Sequence, residues 1–262
     1  DIEKAIIPKY VKQIKSHSFE NCDQLHEVIF EENSELKIIE EYAFTSSSIE
    51  KITIPKTVTE IGQYAFYHCN QLKSFELLDG SKLIGFSKNL FNECYELETV
   101  KIPTKSSLKF IDSFAFMYTS ITSIFIPSTV IKLNDMWNAA TNKLKEITIS
   151  PTNKCFKYID KEHNLLIGKK DLNQKYFEDL VFVNYSIKEI IVPRYIKHLK
   201  DCLFSHCYKL RKIEFANRSE LKTIGKMAFC SNPISNITIP KCVNIIEDKT
   251  FCAFSMIGEF MS

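Results

Sequence analysis

Residues 54–75 read IPKTVTEIGQYAFYHCNQLKSF, and nearly the whole chain is a variation on this stretch. Phe66 is preceded by apolar residues at the eighth and fifth positions upstream, Val58 and Ile61. The same pair precedes Phe19 (Val11, Ile14), Phe44 (Leu36, Ile39), Phe91 (Leu83, Phe86) and Phe116 (Leu108, Ile111). It returns before Phe204 (Ile196, Leu199), Phe229 (Leu221, Ile224) and Phe251 (Val243, Ile246). The phenylalanines are spaced by 25, 22, 25 and 25 residues, then by 25 and 22 in the last set. A fixed period in the twenties marks stacked repeats, in which each unit is too small to close a core alone.

Downstream of each Phe comes a hexamer with apolar first, fourth and sixth positions: LHEVIF, IEKITI, LKSFEL, LETVKI, ITSIFI, LKEITI, IKEIIV, LRKIEF and ISNITI. The last two apolar positions alternate as a half-buried strand requires. Proline often follows at once (Pro55, Pro103, Pro127, Pro193, Pro240) and ends the strand, because it has no N–H for a ladder bond. Other copies carry a polar linker instead, such as Glu31-Glu32-Asn33-Ser34 or Asn217-Arg218-Ser219-Glu220. The expected fold class is an α/β repeat: a leucine-rich-repeat solenoid with a parallel inner sheet and short helical or irregular outer segments, its phenylalanines stacked rung on rung. With only 6 glycines, few left-handed turns are expected.

The pattern breaks once. At the sixth rung Pro127, Val130 and Leu133 fit, but Asn138 stands where Phe belongs, with Trp137 beside it to fill the space. Residues 150–186 do not fit the repeat; Phe156–Asp160 and Leu165–Gly168 read as a hairpin and Tyr176–Val183 as a further strand. The expected organisation is a repeat block over 1–149, an irregular β insert over 150–186 and a second repeat block over 187–262, forming one continuous solenoid. A hinge in the insert is the alternative. Ile2–Pro8 resembles the tail of a strand and Ile257–Phe260 one more strand, so the chain is expected to be a piece of a longer protein.

The motif Ile-Pro-x2-Val-x2-Ile-x3-Ala-Phe-x2-Cys-x2-Leu-x2-Phe, most complete at 54–75 and varied at 35–55, 107–127 and 219–240, resembles the BspA-like leucine-rich repeats, also called the Treponema pallidum type. The resemblance covers nearly everything but 150–186. It implies a surface antigen that binds host matrix proteins or host cells; an intracellular scaffold for protein partners is the alternative. A scaffold of this kind does not fix what is bound.

Residue chemistry points away from catalysis. Apolar residues make up 45% and charged residues 25%, a soluble globular balance, and the net charge of +2 comes without a basic stripe, so nucleic acid is not expected as the partner. No apolar run is long enough to span a membrane. Cys22, Cys69, Cys94 and Cys207 each lie three residues after a rung Phe, which points to a structural thiol donating weakly to a buried carbonyl. Cys69–Cys94 and Cys230–Cys252 lie on neighbouring rungs and within pairing reach. His68-Cys69 and His206-Cys207 occupy one repeat position, and adjacent residues do not aim at one another as base and nucleophile. No metal-ligand spacing, phosphate loop or nucleophile elbow is present, so neither metal nor cofactor is expected. An enzyme built around the insert is the remaining third class. Asn184-Tyr-Ser, Asn217-Arg-Ser and Asn236-Ile-Thr are candidate glycosylation sites.

The third and fifth positions of each hexamer point away from the core and form the expected partner-binding ladder. Phe125, with Glu76, Lys101 and Thr148 around it and Thr53 and Ile191 along the same ladder, makes the candidate site. An outward aromatic is a natural interface anchor, unless Phe125 packs on the degenerate sixth rung instead.

Overall fold

A computed structural model describes residues 2–252. Its two recurrent components are a long strand from each hexamer but the last and a two-residue strand around the apolar residue five before each Phe. The long strands Lys4–Ile7, Glu27–Phe30, Lys51–Ile54, Ser74–Leu77 and Thr99–Lys101 form one parallel sheet in chain order. Ser123–Ile126 pairs with Glu146–Ile149, and Glu189–Val192 with Lys212–Phe215, each in the same parallel register. On the other side, Gln13–Ile14, Ile38–Ile39 and Glu60–Ile61 form one short ladder, and Gly85–Phe86, Phe110–Ile111 and Lys132–Leu133 another.

The stacked aromatic spine is present. Phe19 and Phe44 stack at 5.0 Å, Phe44 and Phe66 at 5.3 Å, Phe66 and Phe91 at 5.8 Å, and Phe91 and Phe116 at 5.5 Å between ring centroids. Phe204, Phe229 and Phe251 repeat this at 5.1 and 5.3 Å. Trp137 does take the place left by Asn138, buried with its ring edge-on to Phe116 at 6.2 Å, although its Nε1 meets no hydrogen-bond acceptor.

The expected α/β class is corrected here: no helix occurs among the described residues, and the outer segments are turns and two-residue strands. The physical reason lies in the corners of each rung. Residues two before and two after the spine Phe sit in the left-handed region, for example Tyr64 and His68 (φ 59° and 57°) around Phe66, or Asn89 and Glu93 (57° and 63°) around Phe91. A right-handed helix cannot pass through two such residues four apart. The expectation of few left-handed turns fails with it, since 20 non-glycine residues among those described carry positive φ. Each such residue costs about 1–2 kcal/mol in isolation. Stacking offsets this by giving the corner N–H a partner on the next rung: Ser46 donates to Tyr67 O at 2.8 Å, His68 to Asn92 O at 2.9 Å and Glu93 to Met117 O at 2.9 Å.

Two turn chemistries begin the rungs. After Ile-Pro, the proline carbonyl accepts the N–H of the apolar residue three on, as in Val58 to Pro55 at 3.1 Å and Val130 to Pro127 at 3.2 Å. In the linker rungs a serine hydroxyl accepts instead, from Leu36 to Ser34 and from Leu83 to Ser81, both at 3.3 Å, and from Leu108 to Ser106 at 3.0 Å.

The insert is a three-stranded antiparallel element, Phe156–Tyr158, Leu165–Gly168 and Asp179–Val183. Its last strand continues in parallel into His198–Leu199, Thr223–Ile224 and Ile245–Ile246. The middle strand is buried on both faces, which explains its unbroken apolar run. Leu166 and Phe182 join the core of the N-terminal rungs, while Leu165, Ile167, Leu180 and Val183 join that of the C-terminal rungs. The hexamer ISNITI at 234–239 forms no strand, although Ile234, Ile237 and Ile239 still pack on the second core. The expected strand Ile257–Phe260 lies outside the described residues.

Candidate partner-binding face

Alternation along each long strand divides its side chains. In Lys51–Ile54 the two isoleucines are buried and Lys51 and Thr53 face solvent. Register then builds rows across the rungs: Thr53 lies beside Glu76 and Glu76 beside Lys101, while Lys51, Ser74 and Thr99 form the parallel row. The Lys101 ammonium lies 3.3 Å from the Glu76 carboxylate, both well exposed, so this pair orders the surface more than it stabilises the fold. Phe125 is in register with Thr148, and Ser123 with Glu146.

Glu76, Lys101, Phe125 and Thr148 line one shallow groove together with Thr99 and Ser123. Four of the six expected residues are therefore brought together. Thr53 faces a neighbouring depression lined by Glu27, Lys51 and Asp79. Ile191 stands on the separate Glu189–Val192 pair, beside Glu214, and is 61% exposed. Phe125 walls the groove and also packs its half-buried ring against the core.

The structure also places the other singled-out residues. The Cys69 thiol donates to Phe44 O at 3.0 Å and the Cys94 thiol to Phe66 O at 2.9 Å; Thr141 does the same for Phe116 O at 2.7 Å. On these three rungs the position thus ties the rung to the carbonyl of the spine Phe before it, whereas Thr119 donates to Phe116 O within its own rung. Burial pushes the Cys207 thiol up to about 12 and moves His206 below its ordinary value, the opposite of an activated thiolate–imidazolium pair. Among the described residues no cluster of His, Cys, Asp and Glu has metal-binding geometry, and no helix is long and apolar enough to cross a membrane.

Of the three sequons, Asn217 and Asn236 are exposed. Asn184 is only 9% exposed; its amide donates to Lys145 O at 3.1 Å and its Oδ1 accepts from Ser186 N and Oγ. That side chain serves as a strut between the insert and the sixth rung.

Sequence reasoning missed the polar junction between the blocks. Lys200 lies 3.3 Å from Asp135 and 3.5 Å from the buried Asp179, joining the sixth rung, the insert and the first C-terminal short ladder. Burial opposes the charge of Lys200, and the two carboxylates more than offset it, so its pKa stands above the ordinary lysine value. Partners this far apart in sequence share no local pattern from which they could be read.

A family model described as the BspA type leucine rich repeat region matches residues 1–108, 80–163 and 175–261 as six copies. No match was found among curated proteins. The chain is similar in structure to a leucine rich cell surface protein of Faecalibacterium prausnitzii, with 25% identity and a TM-score of 0.71 over 96% of this chain and 62% of the other. It is similar to the pneumococcal vaccine antigen PcpA, with 22% identity and a TM-score of 0.65 over 92% of this chain and 51% of the other. A leucine-rich repeat protein of Eubacterium ventriosum shares 17% identity and a TM-score of 0.50 over 99% of this chain and 91% of that one. The chain thus spans about half to three fifths of the length of the first two.

Proposed function

Because the chain belongs to the BspA-type leucine-rich-repeat family, we propose that its long-strand face docks another protein and that the molecule is a non-enzymatic adhesin or antigen, displayed at the cell surface or secreted, with a host or matrix macromolecule as partner. The observation that carries this reading is the division of the long strands. One side builds the core, while the outward side holds Thr53, Glu76 and Lys101 in one register and Phe125 and Thr148 in another, and of these only Phe125 also packs on the core. An aromatic wall with a mixed-charge rim is the composition of protein interfaces. The cell-surface description of the Faecalibacterium neighbour supports the location, and exposed Asn217 and Asn236 would accept glycans on an exported chain. Nine free thiols favour the second reading, an intracellular scaffold using the same face.

The experiment is capture by the immobilised full chain from matrix proteins, cell-surface extract and cytosolic extract, with the Phe125→Ser chain in parallel. A matrix or surface partner lost on substitution supports the proposal. A cytosolic partner with the same sensitivity supports the scaffold, and partners indifferent to the substitution remove this face from consideration.

A further inference from the structure

The last described rungs bring two thiols together. Cys230 follows Phe229 and Cys252 follows Phe251, so each holds the same place on its rung. Phe229 donates to Thr250 O at 2.8 Å and Ser231 to Cys252 O at 3.1 Å, which aligns the two segments. Between these bonds the Sγ atoms of Cys230 and Cys252 stand 2.8 Å apart. No other adjacent rungs place cysteine at both of these equivalent positions. Their surroundings also differ: Cys230 is buried, whereas Cys252 is partly open to solvent. The rung itself is held weakly by packing, since Ile245, Ile246 and Phe251 are each about half exposed.

We propose that Cys230 and Cys252 are a cross-linking site, forming a disulfide between these two rungs at the expense of a small-molecule disulfide. The accessible Cys252 thiolate attacks one sulfur of the oxidant RSSR, giving a mixed disulfide and releasing RSH after protonation. Cys230 then loses its proton and its sulfur attacks Cys252 Sγ, displacing the second RSH. One S–S bond is broken and one formed; the two cysteines lose two electrons and two protons, and the oxidant is reduced to two thiols. Burial, reinforced by the contact with Cys252, holds the Cys230 thiol up to about 12, so the second step quickens as pH rises. The bond fastens the half-exposed rung and restricts the unfolded chain between the two positions.

The test uses the full chain in a glutathione redox buffer, quenched with acid, alkylated and digested with trypsin without reduction. Cleavage after Lys226, Lys241 and Lys249 separates Cys230, Cys242 and Cys252 into different peptides. The expected product joins the Met227–Lys241 peptide to the one beginning at Thr250, disappears on reduction and is absent from the Cys252→Ser chain. Both peptides recovered in alkylated form from the oxidising buffer would overturn the proposal, as would Cys252 linked to Cys202 or Cys242. Thermal unfolding supplies a second readout. Oxidised wild type is expected to lose several degrees of Tm on reduction, whereas Cys252→Ser, folded by circular dichroism, shows no such dependence; an equal response of both overturns the assignment. The oxidant is supplied in the assay, so this outcome is independent of where the protein resides and of what its long-strand face binds.

Discussion

The hydroxyl of Tyr185 donates to the backbone carbonyl of Asn138 at 3.0 Å and receives the Asn138 side-chain amide at 3.3 Å. Asn138 is the one residue that breaks the phenylalanine spine at the sixth rung, and Tyr185 belongs to the insert. With an aromatic ring at 138 the rung would present an apolar face; with asparagine it presents polar groups, and a buried phenol satisfies them. Tyr185 packs against both cores, so the break in the spine and the insert form one feature.

Replacing Tyr185 by Phe keeps the ring and removes the hydroxyl: the half-buried Asn138 amide loses its acceptor, and the Asn138 carbonyl keeps only the bond from Thr141 N. The expected loss is about 0.5–1.5 kcal/mol in urea-induced unfolding. An unchanged midpoint would mean that water replaces the phenol.

Tyr185 also sets an alkaline limit. Burial raises its pKa above the ordinary tyrosine value of 10.0, and burial likewise pushes Tyr158 up to about 12. The folded chain therefore retains protons that the unfolded chain gives up, so stability is complete below pH ~10 and declines above it as the unfolded state ionises. Lys200, also raised, acts in the same direction. Unfolding followed through the near-ultraviolet phenolate band is expected to begin above pH ~10 and to coincide with the loss of circular dichroism. Phenolate appearing fully before unfolding would contradict the buried position of Tyr185.

Phe66 lies fully buried between Phe44 and Phe91, and Phe66→Ala is expected to cost about 3–5 kcal/mol. Phe251, half exposed, should cost about 1–2 kcal/mol in the same calorimetric comparison. Equal losses would show that the spine does not behave as a stack of locally packed rings.

The left-handed corners make a separate prediction at Ala140, which has a φ of 53°. Ala140→Gly relieves the steric penalty and should leave Tm unchanged or higher, whereas Ala140→Val should lose about 1–2 kcal/mol. A valine as stable as alanine would be incompatible with this backbone.

On the long-strand face, Phe125→Ser is expected to weaken capture of the partner about tenfold or more, together with a modest fall in Tm because its ring is half buried. Ile191→Ser, at an exposed position, should leave Tm unchanged; loss of binding there as well would extend the interface to the C-terminal block.

The spine and long strands were legible because each depends on a local spacing repeated many times: Phe19 to Phe116 mark rungs, and Lys51–Ile54 alternates as written. Helical outer segments were expected because the corner residues beside Phe66, Tyr64 and His68, are not glycines and so do not announce left-handed corners. What permits those corners is the next rung, as when His68 bonds Asn92, and no single repeat displays that. The groove around Phe125 followed from counting hexamer positions. The contact of Tyr185 with Asn138, 47 residues away, did not, because a polar pair made once leaves no periodic trace. Asn184 shows the opposite hazard: a glycosylation motif can be written by residues whose first duty is structural.

The long strands run as one ladder to Thr99–Lys101 and then in separate pairs, with the insert between the last two. A tensile load along the stack would be shared by rows of backbone bonds within each rung series. At the insert it would fall on side chains: Tyr185, Asn184, Asn153 and Lys200 with its two carboxylates, beside the packing of Leu166 and Phe182. Pulled from its ends, the chain should therefore yield first at that seam, releasing the two repeat blocks as separate elastic segments.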